Sequence, residues 1–178
     1  MPPVADPRYP VGKFTPPATI TIADRKSAIN ALEKMPEYLR SALRDLDTIQ
    51  LNTPYREGGW SIRQVVHHVA DSHANAYVRF RLALTEEWPT IKPYEEAAWA
   101  ELADARSLPV GVSLDLLTAL HARWVSLLES LTEEDFLKGY VHPAAGGRQN
   151  LAQVLALYDW HSRHHTAHIT NLRKRMGW

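Results

Sequence analysis

The chain has 178 residues, enough for one domain with a buried core and too few for two. Lysine and arginine together number 20, as do aspartate and glutamate, so no excess positive charge points to nucleic acid as a partner. Cysteine is absent, which excludes disulfides, thiolate metal sites and a cysteine nucleophile, so histidine or carboxylate must hold any metal ion.

The N-terminal segment, residues 1–20, contains six prolines and is predicted to be extended and to lie on the surface. It lacks the apolar stretch of a signal peptide. No part of the chain reaches the roughly 20 consecutive apolar residues that a membrane span needs. We therefore expect a cytoplasmic protein with no membrane partner.

The first two long helices are predicted from apolar spacing and from a local capping motif. Apolar residues at helical spacing predict a helix over residues 22–46, bent near Pro36. Ser61 and Gln64 have the spacing of a capping box, in which each side chain bonds the backbone N–H of the other residue. The second long helix is therefore expected to open at Ser61 and to end near Glu87.

The middle of the chain is predicted to contain a short helix and one more long helix. A short helix is expected over residues 94–102, and Ser113 is expected to cap the third long helix. Residues 131–148 indicate a long connection with one helical turn at 133–137. No strand-length alternating segment bounded by hairpin turns is present, so no strands are expected.

The last long helix should open at Asn150, which forms a second capping box with Gln153, and should run to about Met176. Four long helices with apolar stripes are typical of a four-helix bundle. The fold class is therefore all-α, with a single domain over residues 1–178.

Four of the nine histidines lie in the last helix, in two pairs with i, i+4 spacing: His161 with His165, and His164 with His168. The first pair faces the apolar stripe of the helix, whereas the second pair leans toward its flank. Two inward imidazoles could be structural, but each would then need its own hydrogen-bond partner in an apolar core. One divalent cation would satisfy both, so the pair is a candidate metal site.

A site with one metal ion needs a third ligand from another helix, and the second helix offers three histidines: His67, His68 and His73. Apolar periodicity places His73 on the inward stripe, with His67 and His68 on either side of it, so periodicity favours His73.

The sequence lacks the motifs of two other classes of metal enzyme. Ser162 stands where a zincin motif has its glutamate, and no Glu-x-x-His sequence of a di-iron bundle occurs.

Two long motifs resemble the YfiT branch of the DinB-like superfamily. They are TPYREGGWSIRQVVHHVADSH at residues 53–73 and YDWHSRHHTAHI at residues 158–169. The likeness extends to shorter stretches at 9–12, 79–80, 92–94 and 175–178. The resemblance implies an up-down-down-up four-helix bundle, a homodimer and one divalent metal ion per chain. Zinc and nickel are the preferred ions, with manganese as a further candidate.

The resemblance also implies the ligand set. It places the first ligand eight residues after Trp60, at His68, and the other two at His161 and His165. This choice agrees with the periodicity of the last helix and replaces His73 on the second helix. We accept it because a ligand near the end of a bundle does not have to lie on the apolar stripe.

Three imidazoles leave a fourth coordination position open, which is typical of a catalytic metal site. The resemblance favours an enzyme that activates a low-molecular-weight thiol, similar to bacillithiol, for transfer to a small electrophilic substrate. The first alternative is a metal-dependent hydrolase, in which the ion lowers the pKa of bound water to about 7 and supplies hydroxide. The second alternative is a bundle that binds metal without catalysis. No residue is assigned as a catalytic acid or base.

Residues near the ligands are candidates to orient the imidazoles or to move protons: Asp71, Asp159, His73, His164 and His168. Arg56 and Arg79 are candidates to bind a carboxylate of the thiol through paired hydrogen bonds. For each of these residues the alternative is a solvated or packing role. Trp60, Trp124 and Trp160 are expected to be core aromatics.

Overall fold

A computed structural model describes residues 6–178 of the chain. The predicted extended segment lies partly outside these residues; over residues 6–21 the chain has turns and extended stretches but no helix. No helix in the described part of the chain combines the length and the apolar character needed to cross a membrane.

Eight helices and two strands make up the described chain, and four of the helices are long. In chain order they are α1 (Ile22–Ala42), α2 (Thr48–Leu51), α3 (Ile62–Thr85), α4 (Glu96–Ala100), α5 (Ala103–Ser107), α6 (Val110–Glu129), α7 (Glu133–Leu137), β1 (Gly139–His142), β2 (Gly147–Asn150) and α8 (Leu151–Met176). The four-helix bundle predicted from the apolar stripes is confirmed.

Both predicted capping boxes are present at the helices that carry the histidine motifs. At α3, the Ser61 hydroxyl accepts from the backbone N–H of Gln64 (3.2 Å), and the Gln64 side chain accepts from the backbone N–H of Ser61 (3.0 Å). Asn150 and Gln153 bond in the same way at the start of α8. These bonds satisfy backbone donors that have no partner within the helix, so they fix where each helix begins.

The predicted start of the third long helix is wrong. Helix α6 begins at Val110, directly after Pro109, and Ser113 lies within the helix and is buried. Proline is favourable next to a helix start because its ring fixes φ near the helical value and its missing N–H would have no partner there.

The predicted absence of strands is also wrong, although the helical turn at 133–137 is confirmed as α7. Strands β1 and β2 form an antiparallel hairpin in which Gly139 pairs with Asn150 and His142 pairs with Gly147. Each strand has four residues, which is too short to show an alternating pattern in the sequence. Gly146 and Gly147 have positive φ angles of 85° and 91°, which glycine adopts at little cost and which reverse the chain.

Hydrogen bonds between helix ends give the direction of each long helix. Arg173 of α8 donates to the carbonyl group of the last residue of α1 (2.9 Å), so these two helices end together. Arg63 of α3 donates to the Leu108 carbonyl before α6 (2.7 Å), so α3 and α6 begin together. Arg40 of α1 pairs with Asp115 of α6 at 2.8 Å, which joins the end of α1 to the start of α6. The helices therefore run up, down, down and up, as predicted.

Apolar side chains of all four long helices meet in two buried clusters. One contains Phe80 and Trp124, and the other contains Val66, Leu117 and Ile169. Burial of such side chains contributes about 1.5–3 kcal/mol for each large residue. The clusters fix α3 and α8 relative to each other, so side chains between these two helices are held at defined distances.

Replacing Ser61 by alanine should lower the free energy of unfolding by about 1 kcal/mol, because the first turn of α3 would lose its side-chain cap. Urea denaturation followed by far-UV circular dichroism measures the change. The matched control is Ser41→Ala, the same substitution at an exposed position near the end of α1. It should change the free energy of unfolding by less than about 0.5 kcal/mol. Equal effects of the two substitutions would contradict the role of Ser61.

Candidate metal centre

The structure brings His68, His161 and His165 together between α3 and α8. Each offers one ring nitrogen, and the three nitrogens lie within 4.8 Å of one another. The ring centroids of His161 and His165 are 4.4 Å apart, and that of His68 is 4.8 Å from His165 and 5.5 Å from His161. His68 and His165 are buried and His161 is partly exposed. We call these residues the first histidine cluster.

A second group, His164, His165 and His168, also offers three nitrogens within 4.8 Å of one another, and we call it the second histidine cluster. All three residues are buried, so a position toward the flank of the helix does not expose His164 and His168 to solvent. Aromatic rings cover them: Trp160 stacks on His164 (4.4 Å) and Tyr55 stacks on His168 (4.0 Å). His165 belongs to both clusters.

The other two histidines of α3 have both ring nitrogens within hydrogen-bonding distance of other groups. His67 contacts the Ser113 hydroxyl (2.7 Å) and a backbone carbonyl group (3.1 Å). His73, which periodicity favours as a ligand, is completely buried, with its nitrogens 2.9 Å from His121 and 3.3 Å from His161. The structure thus brings His68, and not His73, into the first histidine cluster.

Several buried imidazole nitrogens have no hydrogen-bond partner in the described chain. They are Nδ1 of His142 on β1, Nδ1 of His164, Nδ1 of His165 and both nitrogens of His168. Leaving a buried polar atom without a partner costs about 1–3 kcal/mol. A divalent ion accepts the lone pair of a neutral imidazole and so removes this cost. The unpartnered nitrogen of His165, the residue common to both clusters, therefore fits a metal ligand.

Burial keeps these imidazoles neutral. Burial, together with a smaller effect of the neighbouring imidazole of His164, lowers the pKa of His68 to about 4. Burial, followed by the neighbouring imidazoles, holds the pKa values of His161 and His165 well below the usual range. At pH 7 the first histidine cluster is therefore unprotonated, and its lone pairs are available to a cation.

Asp71 and Asp159 are the two acidic residues proposed to assist the ligands, and the pKa of Asp71 is shifted. Burial and, to a smaller extent, the Asp104 carboxylate raise the pKa of the Asp71 carboxyl to about 6. A carboxyl group with a pKa near 6 can exchange a proton close to neutral pH. Asp159 instead pairs with the exposed Arg163 at 2.8 Å, so it forms an ordinary surface ion pair.

Of the two arginines proposed to bind a carboxylate of the thiol, one lies beside the second histidine cluster and the other is buried near Tyr94. Arg56 lies over the ring of Tyr55 (5.4 Å), which in turn stacks on His168. It therefore lies beside the second histidine cluster. Arg79 is buried, donates to the Lys92 carbonyl group (3.4 Å) and lies over the ring of Tyr94 (6.0 Å).

Of the three tryptophans expected in the core, only Trp124 is fully buried. Trp60 is partly exposed and packs against one of the two buried clusters, whereas Trp160 is partly exposed and belongs to neither, so the expectation is wrong for Trp160. Each borders a histidine cluster: the Trp60 ring lies 4.7 Å from His68, and Trp160 stacks on His164.

Sequence reasoning missed His121, which is 2% exposed and bonds His73. A signal was present. His121 stands four residues after Leu117 and three before Trp124, so it lies on the apolar stripe of α6. A polar residue on such a stripe must find a partner inside the bundle.

A family model described as the DinB superfamily matches residues 31–169. Relatives from Bacillus cereus (strain 03BB102) and Bacillus anthracis (strain A0248) are each 57% identical over 97% of this chain and 99% of their own length. Both are named "Putative metal-dependent hydrolase". The similarity therefore covers the whole described fold, including both histidine motifs.

Two solved structures resemble the chain. YfiT from Bacillus subtilis is 48% identical, with a TM-score of 0.94 over 97% of this chain and 98% of its own, and is described as "a probable metal-dependent hydrolase with an unusual four-helix bundle topology". The four-helix bundle protein TT2238 is 21% identical, with a TM-score of 0.55 over 86% of this chain and 99% of its own, and shares the fold alone.

The metal-free protein should lose stability as the pH falls from about 7 to 4. The pKa of His68 drops from 6.5 in the unfolded chain to about 4 in the folded one, so the unfolded chain binds more protons between these values. The contribution of His68 to the free energy of unfolding is therefore fully present above pH 6.5. It is lost as the pH falls through the folded pKa, by on the order of 3 kcal/mol.

Urea denaturation in the presence of a chelator, repeated across this pH range, measures the effect. The control is His68→Gln, which removes one titrating group and should make the decline in stability shallower. A free energy of unfolding that stays constant over the range would contradict the neutral, buried state of these imidazoles.

Proposed function

The chain belongs to the YfiT branch of the DinB superfamily, and we propose that it is an enzyme that depends on one divalent metal ion. The observation that carries the proposal is the first histidine cluster, in which two helices bring three imidazole nitrogens within 4.8 Å of one another. The names of the relatives, which describe metal-dependent hydrolases, support it.

We propose that the first histidine cluster, rather than the second, holds the ion. His161 and His165 are one helical turn apart and face the same side of α8, where His68 of α3 meets them. In the second histidine cluster, His164 and His165 are adjacent on one helix, so their side chains point about 100° apart. A common ion is harder to reach from adjacent positions of a helix than from positions one turn apart.

The donor set suggests which ion binds and what chemistry follows. Imidazole nitrogen suits zinc and nickel, whereas manganese prefers oxygen ligands, so zinc or nickel is the proposed ion. When bound by three imidazoles, such an ion supplies an open position and lowers the pKa of a small nucleophile there. Asp71 is the proposed proton-exchanging group, because it stands three residues after His68 on the same side of α3 and because burial and the Asp104 carboxylate bring its pKa to about 6.

Hydrolysis of a small-molecule substrate is the first proposed reaction. Relatives that are 57% identical over 97% of this chain are named as metal-dependent hydrolases. The family resemblance in the sequence favours thiol transfer as the reaction. Because the relatives are named as hydrolases, we propose hydrolysis first and thiol transfer second. In hydrolysis, water would be the nucleophile. Asp71 would take up the proton that this water loses and release it to solvent.

Transfer of a low-molecular-weight thiol, similar to bacillithiol, is the second proposed reaction. Arg56 favours it, because this residue lies beside the second histidine cluster and has no carboxylate partner within 4 Å among residues 6–178. A guanidinium group binds a carboxylate through paired hydrogen bonds. It could therefore hold the carboxylate of a thiol whose sulfur reaches the ion.

A homodimer, expected from the family resemblance, and a cytoplasmic location, expected from the sequence, are further proposals. Light scattering on the purified chain would test the oligomeric state.

Purified protein should carry about one zinc or nickel ion per chain. His68→Ala, His161→Ala and His165→Ala should each lower the metal content sharply, because each removes one of three donors. His164→Ala and His168→Ala are matched controls in the second histidine cluster and should leave the content near that of the wild type. Metal analysis after dialysis distinguishes the clusters, since loss in His168→Ala but not in His68→Ala would assign the ion to the second cluster.

The metal-loaded protein should hydrolyse an activated ester, or conjugate bacillithiol to monochlorobimane, at a rate that a chelator abolishes. Asp71→Asn should lower the rate of the active reaction at least tenfold while leaving the metal content unchanged, as expected for a general acid or base. Arg56→Gln should weaken thiol transfer alone and leave ester hydrolysis intact. Metal-loaded protein without either activity would support a bundle that binds metal without catalysis.

A further inference from the structure

Three imidazoles, two of them buried and that of His161 partly exposed, cross the bundle in a continuous line that starts at the backbone of α1. The Leu32 carbonyl oxygen lies 2.6 Å from Nδ1 of His121 on α6. Nε2 of His121 lies 2.9 Å from Nδ1 of His73 on α3. Nε2 of His73 lies 3.3 Å from Nδ1 of His161 on α8. The line thus joins one residue from each long helix and ends in the first histidine cluster.

The Leu32 carbonyl group is available because of a proline. Pro36 lies inside α1, four residues after Leu32, and proline has no backbone N–H. The helical hydrogen bond that Leu32 would normally accept therefore cannot form. Both residues are buried, so solvent cannot supply the missing donor. His121 supplies it.

A carbonyl group can only accept, and this gives the line a direction. Nδ1 of His121 must carry the hydrogen, so Nε2 of a neutral His121 can only accept. It accepts from Nδ1–H of His73, whose Nε2 must in turn accept from Nδ1–H of His161. The opposite orientation would place two lone pairs or two hydrogens face to face.

The direction requires that each imidazole holds one proton. The distances require this for two of the rings, because a second proton on Nε2 of His121 or of His73 would face an N–H group 2.9 or 3.3 Å away. His121 and His73 are nearly free of solvent contact, at 2% and 0% exposure, so water does not separate such groups. Each of the two therefore has one donor and one acceptor in the line.

We propose that His121 and His73 are positioning residues that hold His161 in the tautomer protonated at Nδ1, and so direct its Nε2 lone pair to the metal. The inference rests on the proposed function in so far as His161 is a ligand. In metal-binding histidines, the N–H of the ring nitrogen that does not bind the metal generally donates a hydrogen bond to a fixed acceptor, and this bond sets the tautomer. Here that acceptor is a histidine, and its own orientation is set at the backbone of α1.

The tautomers can be observed without any metal. In the metal-free, full-length protein labelled with ¹⁵N-histidine, long-range ¹H–¹⁵N correlation spectra identify the protonated nitrogen of each ring. The expected result is protonation at Nδ1 in His121, His73 and His161. A proton on Nε2 of His161 in the wild-type protein would overturn the proposal.

Two substitutions at His121 separate positioning from packing. In His121→Gln the side-chain amide N–H can donate to Leu32 and the amide oxygen can accept from His73, so the tautomer of His161 should be retained. His121→Leu fills the space without polar atoms, so His161 should become a mixture of tautomers. Zinc affinity, measured by competition with a chromophoric chelator, should fall about 10- to 100-fold in His121→Leu and little in His121→Gln. Equal losses in both variants would indicate packing and overturn the proposal.

The control is His67→Gln, another buried histidine of α3 that lies outside the line. It should change neither the His161 tautomer nor the zinc affinity. If His121→Leu does not fold, the wild-type tautomers and the His121→Gln variant still decide the question. Expected tautomers without zinc binding would refute the proposed function alone, whereas zinc binding with His161 protonated at Nε2 would refute the positioning role alone.

Discussion

The interior of this bundle has to satisfy the nitrogens of seven buried histidines with little help from water. A neutral imidazole has one donor and one acceptor, and each needs a partner when it is buried. His67 meets this need with a hydroxyl and a carbonyl group, and His73 and His121 meet it in the line that reaches His161. Of the remaining histidines, three retain nitrogens without partners: His164, His165 and His168. An ion bound by the first histidine cluster would satisfy the nitrogen of His165, whereas those of His164 and His168 have no partner among residues 6–178.

The direction of the helices decides which histidines meet. Since α3 and α8 run in opposite directions and α1 ends beside α8, the second turn of α3 faces the middle of α8. His68 therefore approaches the pair formed by His161 and His165. His73 contacts His161 of α8 and His121 of α6, and so connects the first histidine cluster with α1. One topology thus supplies both the proposed ligands and the groups that orient one of them.

Local chemistry made part of this arrangement predictable. The starts of α3 and α8 depend on hydrogen bonds within four residues, so Ser61 and Asn150 could be identified from sequence alone. The shared face of His161 and His165 follows from helical spacing. The ring of Tyr9, in the N-terminal segment, also lies beside His164, with ring centroids 6.5 Å apart, and contacts between segments so distant in the chain leave no periodic signal. The choice between His68 and His73 depends on helix packing, so periodicity favoured the wrong member of the pair for the first histidine cluster.

The central claim is that one ion binds between α3 and α8. Anomalous diffraction from crystals of the zinc-loaded protein, recorded on both sides of the zinc absorption edge, locates the ion directly. The account predicts a single strong peak with nitrogens of His68, His161 and His165 about 2.0–2.1 Å from it. A peak coordinated by His164 and His168, or by His73, would contradict the account and require a different assignment of the ligands.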